Sequence, residues 1–191
     1  MSSYLTSVIK QFEYYKMLGE KSFAQLPDEG LFLQFGEDNN SIAIIVRHLS
    51  GNMLSRFTDF LTTDGEKPWR NRDEEFEPWT GSREDLYGLW NKGWNCLLTT
   101  LAGLQETDLE KIVYIRNEGH TVTEAINRQL AHYAYHVGQI VFAAKLIRGQ
   151  DWQSLSIPRN GSGLYNEKKF NTDQSVRHFT DEWLEKGVKD E

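Results

Sequence analysis

The chain has 191 residues, 39% of them hydrophobic and 13% aromatic, which is enough apolar surface for one domain with a core and excludes a disordered chain. The formal net charge of -7 argues against a nucleic-acid partner, because phosphate binding needs basic patches. No apolar run is long enough to span a bilayer, and the N-terminus lacks the pattern of a signal peptide. We therefore expect a cytoplasmic protein that does not bind membranes, in which the single cysteine, Cys96, is a small buried side chain.

Two amphipathic helices are predicted in the first third of the chain. Apolar residues at helical spacing predict a helix from about Ser3 to Leu26, which a turn at residues 27–30 ends. A second helix is predicted from Ser41 to about Thr62. Its core face consists of Ile42, Ile45, Val46, Leu49, Met53, Phe57 and Phe60. His48 lies at the edge of this face, and Arg56 continues the same edge.

A long loop, a third helix and a hairpin follow. Residues 63–82 form a predicted loop of roughly twenty residues. Its aromatic residues suggest that it packs on the helices: Trp69, Phe76 and Trp79. Ser82 and Asp85 match a capping box, which predicts a third helix reaching about Leu104. In that helix Gly88 and Gly93 either weaken the helix or allow a close helix approach. β-Branched residues on both sides of a tight turn predict a β-hairpin over residues 111–122.

The last long helix is predicted from a cap at Thr121 or Thr123 to about Arg148. Residues 150–170 contain a polar, turn-rich run at residues 157–163. Four side chains in this stretch are expected to anchor it: Trp152, Leu155, Leu164 and Tyr165. Residues 173–186 predict one short helix, with Val176, Phe179 and Trp183 on one side. The organisation expected is a helical domain over residues 1–150 and an extension over residues 151–191 that packs on it, with frayed last residues.

His132 and His136 lie one turn apart at the edge of the apolar face of the last long helix. Neutral imidazole is the commonest protein ligand of transition metals, and two ligands at this spacing can reach one ion. The pair alone fits two hydrogen-bonded structural histidines equally well. His120 lies at a turn and His178 near the C-terminus, so both are predicted to be surface residues without a metal role.

The four long amphipathic segments predict an all-α protein, a four-helix bundle with a small β-hairpin before its last helix. If the second and fourth helices are neighbours, His48 joins His132 and His136 around one ion. Three protein ligands leave a coordination position open, as in catalytic sites. Other chemistries fit worse, because the sequence contains no Glu-x-x-His, no His-Glu-x-x-His, no phosphate-binding glycine loop and no Gly-x-Ser-x-Gly.

His48, the long loop, the hairpin and the segment His132-x-x-x-His136-Val-Gly-Gln139 resemble the DinB/YfiT-like superfamily over roughly residues 3–149. Residues 64–67 and 151–158 are similar to one bacterial branch of unassigned function. The resemblance implies an up-down-down-up bundle, commonly a homodimer. It also implies a divalent metal, often nickel or zinc, on three histidines that match His48, His132 and His136. Some members are thiol S-transferases and others resemble hydrolases, so a small-molecule substrate is implied as well.

Three functions remain open at this point. The first is a metal-dependent transferase of low-molecular-weight thiols, the second a metal-dependent hydrolase, and the third a metal-binding or stress-related protein without catalysis. In both enzymes the ion would lower the pKa of a bound thiol or water. No catalytic residue is identified, and the candidate pocket residues also fit ordinary packing or solvent exposure. These candidates are Asn52, Arg56, Tyr135 and Gln139.

Two further expectations follow from the sequence. The six tryptophans and the aromatic C-terminal segment supply more large apolar side chains than one bundle needs, which predicts a homodimer. The ligand imidazoles must be neutral to bind a metal ion. With an ordinary histidine pKa near 6.5, metal affinity should fall as the pH drops through about 6.

Overall fold

The structure is a computed structural model that describes residues 3–36 and 38–187. This part of the chain is mostly helical, with seven α-helices and one two-stranded antiparallel sheet. The helices are α1 (Tyr4–Phe23), α2 (Asp28–Leu31), α3 (Ile42–Phe57), α4 (Arg83–Gly103), α5 (Val122–Arg148), α6 (Ser162–Phe170) and α7 (Asp181–Gly187). The strands are β1 (Ile112–Ile115) and β2 (Glu118–Thr121). Short 3-10 helices cover Asp73–Phe76, Glu106–Asp108 and Gly149–Asp151.

The four long helices enclose one apolar core. α3 packs along α4 and α1 along α5, while α1 also contacts α4 and α3 also contacts α5. Large fully buried side chains fill the centre, among them Phe12, Phe23, Trp90, Trp94 and Tyr133. A Cβ at Gly93 would lie 2.9 Å from Cα of Ser50, so this glycine allows the close approach of α3 and α4, whereas Gly88 has no neighbour there. No helix in the described ranges is apolar over enough length to cross a bilayer.

Side-chain caps begin the long helices where the sequence predicts them. Ser82 and Asp85 form the predicted capping box at the start of α4. Thr121, and not Thr123, caps α5, and its capping-box partner is Glu124. Ser3 and Ser41 cap α1 and α3 by accepting hydrogen bonds from backbone N–H groups three residues later. The start of each long helix is thus set by local hydrogen bonding that can be read from the sequence.

The predicted end of the second helix at Thr62 is wrong. α3 ends at Phe57, because Thr58 is extended and Asp59 has a φ of +49°. The apolar spacing continues beyond the end because Phe60 is buried in the following turn, with its ring 5.2 Å from that of Phe57. Periodicity alone therefore overestimated the helix length.

The hairpin has a two-residue turn at Arg116 and Asn117, both with positive φ. The carboxylate of Asp64 accepts hydrogen bonds from the backbone N–H groups of Arg116 at 2.9 Å and Asn117 at 2.8 Å. It also accepts one from the N–H of Glu66 at 2.7 Å. Asp64 thereby joins the long loop to the hairpin turn.

The long loop lies across α3 through its 3-10 helix. Phe76 is half-buried, and its ring centroid lies 4.7 Å from that of His48. Trp79 is half-buried against Phe32. The prediction that all three aromatic residues pack is wrong for Trp69, which is exposed.

The extension differs most from its prediction. α6 begins at the end of the predicted turn-rich run and was not predicted, and α7 begins only at Asp181. Leu164 is exposed and so is not the predicted anchor. Val176 and Phe179 lie before α7 and are exposed, although the ring of Phe179 contacts that of Tyr14 in α1. Trp152 packs against the core as predicted, and an ion pair of 2.7 Å between Lys10 and Asp181 joins α7 to α1. The predicted fraying of residues 188–191 lies outside the described residues.

Candidate metal centre

The three predicted histidines lie together between α3 and α5. The Nε2 atom of His132 lies 3.4 Å from Nε2 of His48 and 3.1 Å from Nε2 of His136. Taking one ring nitrogen from each residue, the three ligand atoms are within 4.8 Å of one another. Three imidazole nitrogens on two neighbouring helices could therefore hold one metal ion.

The spacing of the nitrogens matches a coordination shell. Metal–nitrogen bonds of about 2.0–2.1 Å place two ligands about 3.4 Å apart in a tetrahedral site and about 2.9 Å apart in an octahedral one. The separations of 3.4 and 3.1 Å from Nε2 of His132 to Nε2 of His48 and of His136 lie in this range, and all three ligand atoms lie within 4.8 Å of one another. The two nitrogen pairs that include His132 thus fit the ligand spacing around one metal ion.

Hydrogen bonds to Nδ1 determine the tautomers of the His48 and His136 rings. Nδ1 of His48 lies 2.9 Å from Oε2 of Glu75, and Nδ1 of His136 lies 2.8 Å from Oε1 of Gln139. Because both oxygens are acceptors, each Nδ1 carries the proton and each Nε2 keeps a lone pair. These lone pairs belong to the nitrogens that face His132.

Burial keeps the rings of α5 neutral. Desolvation, followed by the positive charges that His136, His48, Arg56 and Arg70 can carry, lowers the pKa of His132 to about 3. Burial also lowers the pKa of His136, although its hydrogen bond with Gln139 opposes the shift. The lowered pKa values of these two rings would move competition between protons and a metal to a lower pH than an ordinary histidine pKa implies, and the pH dependence of metal affinity stays a prediction.

Glu75 and Arg70 form a second layer of side chains behind His48, which the sequence analysis did not identify. Glu75 is buried, and Arg70 donates to both of its carboxylate oxygens, at 2.7 Å from Nε and 2.8 Å from Nη2. Burial alone would raise the pKa of Glu75, but the hydrogen bonds and charges of Arg70 and His48 outweigh it and lower the pKa. The ionised carboxylate holds the ring of His48 in place, as carboxylates commonly do behind metal-bound histidines.

Gly51 makes room for this second layer. It follows His48 by three residues on α3, and a Cβ there would clash with Oε1 of Glu75 and lie 2.8 Å from its Cδ. The loop carboxylate reaches His48 only because α3 has no side chain at this position. A glycine one turn after a candidate ligand, inside an apolar helix, is the sequence signal that could have indicated a close neighbour.

The four candidate pocket residues take different positions. Asn52 is buried and accepts a hydrogen bond of 2.9 Å from the hydroxyl of Tyr133, so it belongs to the core. Arg56 is buried too, where it donates to the backbone carbonyl of Gly65 and to Glu66. Tyr135 is 63% exposed, with its ring 5.0 Å from that of His136. Only Tyr135 and Gln139 contact the histidine triad.

The remaining histidines and the cysteine lie elsewhere. His120 is half-buried beside Arg128, and His178 is half-buried beside Ser7 and Thr180. Both rings are thus partly exposed, and neither lies in the triad. Cys96 is half-buried and not fully buried, 3.7 Å from the hydroxyl of Thr58.

A cleft of about 370 Å³ opens beside the triad, between α3, α5 and the residues that precede α3. Gln139 lines the cleft and also contacts His136. Ile45, one turn before His48, lines its other side. The histidines themselves do not line it, so the cleft is a neighbour of the triad and does not enclose it.

Comparison with known proteins identifies a family but no described relative. No curated protein and no solved structure matches the chain. A family model described as a protein of unknown function, DUF1572, matches residues 1–161. This match covers the triad, Glu75 and the cleft, and most of the chain. The chain therefore belongs to the DUF1572 family.

Proposed function

We propose that this protein is a metal-dependent enzyme of the DinB/YfiT-like kind. His48, His132 and His136 hold one divalent transition metal, nickel or zinc, inside a four-helix bundle of α1, α3, α4 and α5. The reaction is the transfer of a low-molecular-weight thiol to an electrophilic small molecule. The bound ion supplies a lowered pKa for a coordinated thiol or water, which makes it a nucleophile at neutral pH.

One observation carries the proposal, namely the convergence of three Nε2 atoms in a partly buried site. Two of them keep lone pairs because Glu75 and Gln139 engage the opposite nitrogens. Lone pairs that face one another at about 3 Å repel unless a proton or a cation lies between them. The Nε2–H of a neutral His132 could be donated to only one of these two nitrogens at a time, whereas one metal ion can accept a lone pair from each of the three rings.

The exposure of the triad supports a catalytic site over a closed structural one. His48 is buried, whereas His132 and His136 are each half-buried. Three protein ligands leave at least one position for an exchangeable group. The partly open side on α5 allows such a group to enter from solvent.

The connection between α3 and α4 supports the bundle topology. Residues 58–82 separate the two helices, which is long enough for the crossover that parallel neighbours require. α3 and α4 are in extended contact, as are α1 and α5. The up-down-down-up arrangement accounts for both pairings.

A thiol-transfer assay separates the candidate functions. Nickel- or zinc-loaded protein is incubated with a panel of small thiols and an electrophile such as a chlorodinitroarene. The proposal predicts product formation that requires both metal and thiol and is lost in His132→Ala. His120→Ala is the control, because His120 lies outside the triad. Turnover of ester or amide substrates by water, without a thiol, would instead establish the hydrolase, and a metal-loaded protein inert in both assays would favour a non-enzymatic role.

A further inference from the structure

We infer that the cleft beside the triad binds the apolar, uncharged part of a substrate whose opposite end reaches the metal ion. This inference rests on the proposed metal centre and adds to it the chemical class of the substrate. The alternative class is a polyanionic thiol, whose carboxylates would need basic partners in the binding site.

The cleft and the candidate metal centre share one contact residue, Gln139. Gln139 lines the cleft and lies 2.8 Å from Nδ1 of His136, while Nε2 of the same ring faces His132. Ile45 brings α3 to the cleft one turn before His48. The cleft therefore begins beside the ring of His136, and the tail of a metal-binding molecule is assigned to it.

The lining of the cleft is mixed, with polar side chains from Asp38, Asn39, Asn40 and Gln139 beside an apolar part. Its apolar members are Phe35, Ile45, Phe142, Ala143 and Leu146. Among the described residues, Asp38 is the one charged side chain of the lining, and the described lining contains no lysine or arginine. An anionic ligand would thus lie near a carboxylate with no cation to pair with. A neutral apolar group would instead contact the apolar side chains of the cleft.

The size and exposure of the cleft suit a small ligand. Its volume of about 370 Å³ lies within the usual range of small-molecule sites, about 300–1,000 Å³. Phe142 is 64% exposed and Leu146 is 55% exposed. A bound alkyl or aryl group would cover these two side chains, and that burial is the source of the affinity.

The test uses simple thiols as probes of the nickel-loaded full-length protein. Ethanethiol, 1-propanethiol and 1-butanethiol are titrated, and binding is followed by the thiolate-to-nickel charge-transfer absorption. Each methylene buried in the cleft is expected to tighten binding roughly threefold to fourfold. Glutathione, which carries carboxylates, is expected to bind more weakly than butanethiol.

Two variants locate the binding to the cleft. Ala143→Phe fills it and Phe142→Ala removes part of its wall, so both should flatten the dependence of affinity on chain length while keeping the metal. Ala131→Phe is the matched control, because Ala131 is exposed on the same helix and does not line the cleft. It should retain the full dependence.

The outcomes distinguish the inference about the cleft from the proposed metal centre. A protein that binds nickel and thiols, but with equal affinity for all chain lengths or with the same dependence in Ala143→Phe, would overturn the inference and leave the metal centre intact. Tighter binding of glutathione than of butanethiol would also overturn it. Failure to bind nickel at all would refute the proposed centre, and the inference with it.

Discussion

At the scale of single residues, the candidate site depends on the side chains behind the ligands as much as on the ligands. His48 is oriented by Glu75, Glu75 is held by Arg70, and Gly51 leaves the space in which they meet. His136 is oriented in the same way by Gln139. Metal affinity should therefore respond to residues that never touch the ion.

Glu75→Gln tests the charge behind His48. The amide can still accept the hydrogen bond from Nδ1, but it cannot match the ion pair with Arg70. We expect the affinity for zinc or nickel to fall by about 10–100-fold, measured by competition with a chromophoric chelator. Glu74→Gln is the matched control, since Glu74 is exposed in the same 3-10 helix. Equal affinities in the two variants would show that Glu75 does not act on the metal site.

Gly51→Ala tests the space for Glu75. The added methyl group would displace the carboxylate from His48, so metal affinity should fall by a factor similar to that for Glu75→Gln. Gly88→Ala places the same change in α4, where no atom lies within 4 Å of the new Cβ. That control should bind metal normally and gain up to about 1 kcal/mol in the free energy of unfolding. Unchanged metal affinity in Gly51→Ala would contradict the assigned role.

The histidine cluster could be predicted from the sequence because all three histidines lie on helices with a clear apolar period. Helical spacing places His132 beside His136 and puts His48 at the edge of a core face. Glu75 and Arg70 could not be predicted, because they lie in a loop whose path is determined by tertiary contacts. Asn52 and Arg56 lie near the predicted edge, but they serve Tyr133 and the loop carbonyl of Gly65.

At the scale of elements, the sequence predicts where the long helices begin, but it predicts the other segments less well. Apolar period predicts the starts of α1 and α3, and apolar period with a capping residue predicts those of α4 and α5. The sequence patterns that mark the end of α3 and the helices α6 and α7 are weaker, so these boundaries were not predicted correctly. α6 buries no residue, so the sequence lacks the apolar stripe from which a helix is usually recognised.

The contact between the loop and the hairpin can be tested through Asp64. Removal of its carboxylate in Asp64→Ala leaves three backbone N–H groups without this acceptor, and we expect a loss of about 1–2 kcal/mol in the free energy of unfolding. The measurement is urea denaturation at pH 7. Asp173→Ala, in the exposed segment between α6 and α7, is the control and should be neutral. A neutral Asp64→Ala would contradict the role of this contact.

The contribution of Asp64 should depend on pH. Burial raises its pKa, but hydrogen bonds from the N–H groups of Asn117, Glu66 and Arg116 together outweigh this and lower it below the ordinary value. A carboxyl whose pKa is lower in the folded state stabilises that state above its unfolded pKa of about 3.9. The stabilisation is lost as the pH falls through the lowered pKa. The difference between wild type and Asp64→Ala should therefore be full at pH 7 and smaller at pH 3, and a constant difference would contradict this explanation.

At the scale of the whole molecule, we expect the core to stay folded without a metal. The large buried side chains of α1, α3, α4 and α5 pack on one another, and the triad lies beside them. Bound metal should still stabilise the folded state by mass action, by about 4 kcal/mol when free metal is 1,000 times its dissociation constant. A chelator should lower the melting temperature at pH 7.5 by several degrees and leave the protein folded. Complete unfolding by chelator, followed by circular dichroism, would indicate a structural metal instead.

The homodimer remains a prediction, but the structure changes which side chains support it. Trp90 and Trp94 are fully buried within one chain, so they need no partner. Phe170, Val176 and Phe179 are exposed in the extension and are the better candidates for an interface. Light scattering at micromolar concentration should give the mass of a dimer, and Val176→Glu should shift it toward the monomer. A monomer mass for the wild type would refute the prediction.

The central claim is that His48, His132 and His136 together bind one divalent metal ion, and metal content tests it most directly. Elemental analysis of the protein after loading with nickel or zinc and gel filtration should find close to one ion per chain. His132→Ala should lose this stoichiometric ion, while His120→Ala, outside the triad, should keep it. Equal metal content in the two variants, or none in the wild type, would contradict the account.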